Sequence, residues 1–508
     1  MKKGISLLLI ALLALLACAP MAMAEGIVSA KDTLKIGVAV EPVSLDPYET
    51  AGAEAARVKR QVMEGLFEIN DAGEYIPLLA TDWAWEDDVT IVFHLRQGVT
   101  FSDGAPFTAA DVIYSIAAGK DGSLLKTYID LEKSEIVDDY TVRIVMTEPT
   151  PILFDKFESQ HFPIIHQAAY EDPNNNFMYK PIGTGPYVVE EWKTGDSVTL
   201  VRNENYWGTP AYCDKVIFRL IPESQQRTVE LEVGGIDINL DTSFEDMDYF
   251  QDENVYTIGQ YAVPTVNALF FNMSDIRNSA VRDLKVRQAM AYAIDSEAIS
   301  KSVYGVGDAA NSNLSPYYAY FYNKDLTADD TLYRCDLEKA KALMAEAGYA
   351  DGLNLTILIS DAPDEQAVAE IMQYELSQIG INLELVTRSS TTWYATVCAK
   401  EEYDVTMFVL YDNSPIYSWM HFLGDDSLGV PDYTTYRNET FMKDMKELLV
   451  TTNLDRQKEL LTEMDGCVTA DLPVYSLHFA SNIVSMRKEV KGFEYRGGMT
   501  NVNQIYFE

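Results

Sequence analysis

The sequence predicts an α/β protein built from two or three domains. The chain has 508 residues, which at ordinary domain sizes is too long for one compact unit. Hydrophobic residues make up 47% of it, enough to fill several large cores. Between 353 and 386 a strand pattern, an amphipathic helix pattern and a second strand pattern follow one another with short links. This order predicts a right-handed parallel crossover.

Local signals place the elements of this crossover. Residues 353–359 and 381–386 alternate between apolar and polar side chains, as half-buried strands do. Residues 366–379 carry apolar side chains at helical spacing, and Gly380 follows them. Glycine readily adopts the left-handed conformation that ends a helix. The sequence therefore predicts two parallel strands joined by this helix.

The segment 77–115 contains the clearest run of local signals. Its centre, 89–95, is rich in β-branched and aromatic residues and predicts a strand. The Asp-Gly pair at 103–104 predicts a turn. Thr108 can accept hydrogen bonds from the first free amides of a helix, and the charge of Asp111 favours the same helix end. These signals predict a strand, two turns and a capped helix.

A second motif, PIGTGPY, occupies residues 181–187. Two glycines and two prolines in seven residues demand a tight and fixed backbone path. A phosphate-binding loop is one possible interpretation, but no Gly-Lys-Ser/Thr follows and the next segment, 187–191, reads as a strand rather than a helix. The motif therefore predicts a turn where the chain passes between lobes.

The first eighteen residues are typical of an export signal. Lys2 and Lys3 provide positive charge, and an apolar run too short to span a bilayer follows them. Residues 15–18, Leu-Leu-Ala-Cys, look like a bacterial lipobox, which predicts lipidation of Cys18 and a tether over 19–32. Cleavage after Ala24 in the sequence Ala-Met-Ala is the alternative.

Composition excludes several classes of function. The formal net charge is −39, whereas a nucleic-acid binder needs a positive surface. The five histidines are dispersed, and no zinc-protease, nucleophile-elbow or Walker A motif is present. We therefore expect no catalytic residue, no metal and no cofactor. The 31 tyrosines and 6 tryptophans suit a binding cleft.

Four cysteines follow the export signal. They are Cys213, Cys335, Cys398 and Cys467. None are paired at Cys-x-x-Cys spacing, so a zinc site is not predicted. An exported protein can form disulfides, and four buried free thiols are equally compatible with the sequence.

Taken together, the segment 77–115 resembles the signature of the family 5 extracellular solute-binding proteins, the peptide- and nickel-binding receptors of ABC importers. The matching residues are Pro77, Leu79, Ala80, Trp83, Phe93, Leu95, Arg96, Gly98, Val99, Phe101, Asp103, Gly104, Phe107, Thr108, Ala109, Asp111, Val112, Tyr114 and Ser115. The motif at 181–187 and the helix pattern at 286–295 match two further signatures of that family.

The resemblance implies a periplasmic-binding-protein-like fold of type II, with two main lobes, a hinge and a third accessory lobe. Lobe I would comprise 33–47, 182–265 and 483–508, the accessory lobe 48–181, and lobe II 266–482. The implied function is capture of a peptide in the cleft between the lobes and its delivery to a membrane permease with its ATPases. The protein would be a monomer outside the cytoplasm, attached to the cell membrane by its lipid alone.

The resemblance also implies ligand-binding positions. It places Thr50, Ala51, Gly52 and Ala53 on a loop that touches the ligand backbone. It places Asp412, between Tyr411 and Asn413, near the aspartate that binds a peptide's α-ammonium group, which is a charge-assisted bond. Tyr128 is a further candidate for the wall of the site.

The sequence departs from the family pattern at two places. Leu410 stands where a tryptophan is usual, and 360–365 lacks the arginine that would bind a dipeptide's carboxylate. The missing arginine favours an oligopeptide, or a ligand that is not a peptide, over a dipeptide. Alternatives are a receptor for a nickel chelate, haem or an oligosaccharide, a surface sensor, or a secreted hydrolase.

Overall fold

The structure is a computed structural model. It describes residues 28–49, 53–70, 75–119, 124–149, 156–158, 162–277, 279–305, 307–322, 335–411, 414–416, 418–419, 433–451, 453–496 and 499–508. No helix within these ranges has the length and apolar character needed to cross a membrane.

Strands and helices alternate along most of the chain. The strands are β1 (Thr33–Val38), β2 (Phe67–Ile69), β3 (Tyr75–Pro77), β4 (Ala80–Trp85), β5 (Thr90–Leu95), β6 (Glu135–Asp138), β7 (Thr141–Val145), β8 (Tyr187–Lys193), β9 (Ser197–Arg202), β10 (Lys215–Leu220), β11 (Ile238–Thr242), β12 (Tyr256–Phe271), β13 (Asp308–Ala309), β14 (Leu353–Ile359), β15 (Ile381–Thr387), β16 (Val405–Tyr411), β17 (Val474–Arg487), β18 (Val490–Lys491), β19 (Tyr495–Arg496), β20 (Met499–Thr500) and β21 (Tyr506–Phe507). The α-helices are α1 (Ala53–Val62), α2 (Ala109–Ala118), α3 (Leu124–Tyr128), α4 (Gln167–Glu171), α5 (Ser224–Glu232), α6 (Leu284–Ala293), α7 (Ser296–Ile299), α8 (Leu337–Glu346), α9 (Pro363–Ser377), α10 (Ser390–Ala399), α11 (Glu439–Leu448) and α12 (Leu454–Asp471). Short 3₁₀ segments include Phe244–Phe250, and a π-helical turn spans Ser300–Tyr304.

One mixed sheet runs through both main lobes. Among the described residues it has eleven strands in the order β15-β14-β16-β12-β17-β11-β1-β10-β9-β8, with β13 beside β17. Strands β14 and β15 are parallel, with Leu353 opposite Ile381, and α9 connects them. This confirms the predicted crossover. Gly380, directly before β15, has a φ of +85°, the left-handed conformation expected of it.

Two long strands carry the sheet from lobe I into lobe II. Strand β12 has 16 residues and β17 has 14, and they pair antiparallel from Tyr256–Arg487 at one end to Phe270–Val474 at the other. The register breaks between Ala262 and Val266, where residues 263–265 of β12 lie opposite residue 480 of β17. Such a bulge bends a strand. We call this break, 262–266 with 479–482, the crossing.

The lobe II part of the sheet is covered on both faces. Successive residues of β14 and β16 alternate between the two cores, as in Ile357 and Leu358. Helices α6, α8 and α9 cover one face, and α10, α11 and α12 cover the other. Burial on both faces explains why these strands consist mainly of apolar residues.

The accessory lobe contains the segment 77–115. Its four-stranded antiparallel sheet has the order β4-β5-β7-β6. The Asp111 carboxylate accepts the backbone N–H of Thr108 at 2.8 Å, so the predicted helix cap is confirmed. Phe93, Phe101 and Phe107 are fully buried in the core of this lobe. The family signature therefore forms a packed core.

Helix α1 packs into lobe I. Val58 and Val62 lie in the same core as Leu34 and Ile36 of β1. The predicted accessory-lobe range, 48–181, included this helix, whereas its packing is with lobe I. The domain boundaries themselves stay a prediction.

The PIGTGPY motif packs against the end of α1. A Cβ atom on Gly183 would lie 2.2 Å from the carbonyl oxygen of Val62, and one on Gly185 would lie 2.7 Å from that of Gln61. Both distances are far below van der Waals contact, so only glycine permits this approach. The motif leads into β8, as the sequence predicted, and its glycines serve packing.

Cys213, Cys335, Cys398 and Cys467 are free thiols in the structure. Cys213 is buried, Cys467 is half-buried, and Cys335 and Cys398 are exposed. Of the two alternatives that the sequence left open, the structure has the free thiols, but the expectation that all four are buried was wrong for the two exposed ones.

We expect Gly183→Ala to destabilise the protein by about 1–3 kcal/mol, because the added methyl group collides with backbone that cannot move freely. Gly466→Ala is the matched control, since its Cβ would meet nothing within 4 Å in the middle of α12. This control should be neutral or stabilising by up to about 1 kcal/mol. Urea denaturation of both variants measures the difference, and equal midpoints would contradict the packing role.

Candidate functional site

The carboxyl ends of parallel strands from both lobes meet at the crossing. In lobe I, β11 ends at Thr242, which pairs with Ile483 of β17. In lobe II, β16 ends at Tyr411, which pairs with Thr265 of β12. Ligands of open α/β sheets commonly bind beyond such strand ends. The candidate site is therefore the cleft on either side of the crossing.

The predicted site residues are only partly placed. Ala53 is the first residue of α1 in lobe I, and Tyr411 is the last residue of β16 in lobe II. Thr50, Ala51, Gly52, Asp412, Asn413 and Cys18 lie outside the described residues. Of the predicted contacts near the crossing, one therefore lies at the start of a lobe I helix and one at the end of a lobe II strand.

Tyr128 lies apart from these positions. It ends α3 in the accessory lobe, and its side chain packs against the core of that lobe. Its carbonyl oxygen accepts the backbone N–H of Thr147 at 2.8 Å. Its role as a wall of the site stays a prediction.

Sequence reasoning missed a polar cluster on the lobe I side. Arg57 of α1 donates two hydrogen bonds to the Asp241 carboxylate of β11, at 3.0 and 2.8 Å. The backbone N–H of Ala39, directly after β1, donates to the same carboxylate at 2.8 Å. Burial alone would raise the pKa of Asp241, but the Arg57 guanidinium holds it below its usual range. One carboxylate thus joins α1, β1 and β11.

Aromatic rings connect this cluster to the crossing strands. The Tyr261 ring of β12 lies 4.8 Å from the Tyr495 ring and 5.9 Å from the Phe493 ring, measured between centroids. Asn482 of β17 donates its side-chain N–H to the Tyr495 hydroxyl at 2.6 Å. The Arg57 guanidinium also interacts electrostatically with Tyr495. No local sequence signal distinguishes these tyrosines from the others.

A second aromatic group lies on the lobe II side. Trp393 of α10 stacks on Phe408 of β16 with centroids 5.1 Å apart, and Tyr433 packs 5.0 Å from Phe408. The hydroxyls of Tyr394 and Tyr433 are 2.8 Å apart. Tyr394 is partly exposed, and Phe408, the middle residue of β16, is half-buried. Rings with exposed edges give contact area that tolerates different side chains.

The far end of α1 is fixed by a buried carboxylate. Glu64 accepts hydrogen bonds from Thr184 at 2.8 Å, Tyr206 at 2.8 Å and Trp207 at 2.7 Å. Burial raises the pKa of Glu64 to about 7, although these three donors favour the charged form. Glu64 and Asp241 therefore anchor opposite ends of the α1 region.

No metal centre is found in the described part of the chain. Nowhere among those residues do three or more histidine, cysteine, aspartate or glutamate side chains gather closely enough to hold an ion.

Comparison with known proteins identifies the family. Residues 74–426 match the family model described as bacterial extracellular solute-binding proteins, family 5 Middle. The chain belongs to this family. Proteins of family 5 are exported solute-binding proteins that work with ABC transporters, and the relatives are binding proteins rather than enzymes.

Individual relatives are similar over most of their length. The haem-binding protein A of Haemophilus influenzae is 26% identical, covering 93% of this chain and 91% of the relative. The dipeptide-binding protein of Escherichia coli K12 is 25% identical, covering 83% and 84%.

Solved structures show the same fold. HbpA2 from Haemophilus parasuis matches with a TM-score of 0.84 at 24% identity, over 94% of this chain and 100% of that one. The oligopeptide-binding protein AppA from Bacillus subtilis, in complex with a nonapeptide, matches with a TM-score of 0.71 at 20% identity, over 94% and 99%. This family 5 protein thus has the predicted type II fold of two lobes, a hinge and an accessory lobe.

His478 lies directly before the crossing segment 479–482. It is buried in β17, with Nδ1 2.8 Å from the Ser300 hydroxyl and the ring stacked on Tyr304 at 4.2 Å. Burial lowers its pKa to about 4, although a hydrogen bond with the Asp308 backbone acts the other way. The folded protein therefore holds His478 neutral at pH values where the unfolded chain protonates it.

Between about pH 6.5 and 4 the unfolded state binds the extra proton, so this residue's contribution to stability falls as pH falls. We expect wild type to lose stability more steeply than His478→Gln, by about 1.4 kcal/mol per pH unit in that window. Denaturant titrations at several pH values measure the slope. His94→Gln, on the accessory-lobe surface, is the control. Parallel stability curves for wild type and His478→Gln would contradict the assignment.

Proposed function

We propose that this protein captures an oligopeptide in the cleft at the crossing and delivers it to the permease of an ABC importer. The observation that carries the proposal is the bulge in β12. Residues 263–265 leave the ladder with β17 beside the ends of β11 and β16. Pro264 has no N–H and the Val263 carbonyl accepts a hydrogen bond from Ser315. An extended peptide would therefore pair with the backbone of the strand ends beside the bulge, and this binding does not require one peptide sequence.

The surroundings of the bulge support a peptide. The aromatic groups around Tyr261 on one side and Phe408 on the other offer surfaces for varied side chains. Asp412 follows Tyr411 at the end of β16, where a carboxylate can bind the free amino terminus of the ligand. Closure of the lobes about the crossing would then bury the bound solute.

The expected peptide is longer than a dipeptide. The segment 360–365, after β14, contains no arginine to bind a nearby carboxylate. Arg388 follows the neighbouring strand, and its guanidinium lies 3.6 Å from Glu402. A dipeptide would therefore lack the second charged contact that fixes its length.

Haem is the second candidate solute. It is supported by the similarity to the haem-binding protein A, which covers 93% of this chain. His478 would not serve as an iron ligand, because its ring is enclosed between Ser300 and Tyr304.

Native mass spectrometry of the purified mature protein tests the proposal. A co-purifying mass series that fragments as peptides of three or more residues is the expected result. A co-purifying haem with its visible absorption, or a peptide of two residues, would overturn it. Calorimetric titration with a tetrapeptide, a dipeptide and haem measures their relative affinities, and the tetrapeptide should bind most tightly. The bound tetrapeptide should also raise the melting temperature of the protein by mass action.

Asp412→Asn should weaken binding of a free-amine tetrapeptide by about 10- to 100-fold, the range expected for loss of a charge-assisted hydrogen bond. The N-acetylated tetrapeptide carries no ammonium group and should lose much less affinity. Asp351→Asn, on an exposed turn before β14, is the matched control. Equal losses for both peptides would remove Asp412 from this role.

We also propose that lipidation at Cys18 attaches the protein to the cell membrane as a monomer. In cells given labelled palmitate, the wild-type protein should carry label and sediment with membranes, whereas Cys18→Ala should do neither. Unchanged sedimentation together with a mature amino terminus at Glu25 would instead support cleavage after Ala24.

A further inference from the structure

Asp241 occupies a special position among the polar contacts of lobe I. Its carboxylate accepts hydrogen bonds from the Arg57 side chain and the Ala39 backbone, and so joins three segments that end at the cleft. The Arg57 side chain is 11% exposed and that of Asp241 is 23% exposed. A largely buried, two-pronged arginine–carboxylate pair fixes direction as well as distance.

The same pair is connected to the hinge. Tyr495 interacts electrostatically with Arg57 and accepts a hydrogen bond from Asn482 of β17. The Tyr495 ring packs against Tyr261, which pairs with Asn482 across β12 and β17. A continuous path of contacts therefore leads from Asp241 through Arg57 and Tyr495 to both crossing strands.

We propose that Asp241 and Arg57 are positioning residues for solute capture, which couple the start of α1 to the strands that cross between the lobes. This inference rests on the proposed capture of a solute at the crossing. Neither residue needs to touch the solute. Their pairing holds the beginning of α1, the strand ends of lobe I and the crossing in one arrangement.

The coupling has a physical basis in the cost of breaking the pair. If Asp241 becomes neutral, the buried Arg57 guanidinium keeps its charge but loses its partner. The guanidinium must then turn toward water or draw water inward, and either change disturbs its contact with Tyr495. The disturbance should therefore reach β12 and β17, as well as the immediate neighbours of Asp241.

Hydrogen–deuterium exchange of the ligand-free mature protein tests the coupling directly. In Asp241→Asn and in Arg57→Lys, we expect faster exchange in α1 (53–62) and in the first part of β12 (256–266), by about fivefold or more. Glu230→Gln is the matched control, because it breaks another half-buried lobe I pair, Glu230 with Arg219 at 2.6 Å. That control should leave 256–266 unchanged.

Wild-type exchange rates at 256–266 in both Asp241→Asn and Arg57→Lys would overturn the inference, even if residues around 241 exchange faster. Two variants are used because a folding defect in one of them would raise the exchange rate throughout the protein. A melting curve of each variant detects such a defect. The double variant Arg57→Lys/Asp241→Asn should be no worse than the more damaging single variant, since the two residues act as a unit.

Calorimetry with a tetrapeptide measures how the same variants affect peptide binding. Asp241→Asn should weaken binding about tenfold, a usual size for coupling between sites, while Glu230→Gln should not. Failure of wild type to bind any peptide would count against the proposed function, whereas the exchange experiment alone decides the coupling. Wild-type peptide affinity in both coupling variants would overturn a positioning role in capture.

Discussion

The continuous pairing of β12 with β17 is the constraint on which the rest of the structure depends. Two strands of 16 and 14 residues pair on both sides of the crossing, so neither lobe can move away without bending this ladder. The bulge at 263–265 is where the ladder is already interrupted, and Pro264 has no N–H to donate there. Bending is therefore cheapest at the point where the strand ends of both lobes meet, so the hinge lies at the proposed binding site.

A site built on a hinge needs rigid neighbours, and buried carboxylates supply them on the lobe I side. Glu64 holds the end of the α1 region through three side-chain donors, and Asp241 holds α1 nearer its start through Arg57. Both carboxylates lie in largely enclosed surroundings, where a satisfied hydrogen-bond network is rigid and an incomplete one is costly. The glycines at 183 and 185 allow the close backbone approach that brings Thr184 to Glu64.

The features that the sequence predicted are those that depend on residues close together in the chain. The crossover β14–α9–β15 follows from periodicity within 353–386, and the cap of α2 follows from two residues three apart. Arg57 and Asp241 are 184 residues apart, and no pattern near either one indicates the other. The motif at 181–187 indicated a tight backbone path that needs glycine. The end of α1, against which these glycines pack, could be known only from the fold. The predicted contacts at Thr50–Gly52 and at Asp412 and Asn413 lie outside the described residues and stay predictions.

The residues that identify the family differ from those that would select its solute. Phe93, Phe101 and Phe107 of the signature are buried in the accessory lobe, where their requirement is to pack. They would pack in the same way whatever solute the cleft binds. A match at these positions therefore indicates the fold and gives no information about the solute. Relatives of similar identity, one named for haem and one for dipeptides, agree with this separation. Under the proposed function, solute choice depends on side chains around the crossing rather than on these packed phenylalanines.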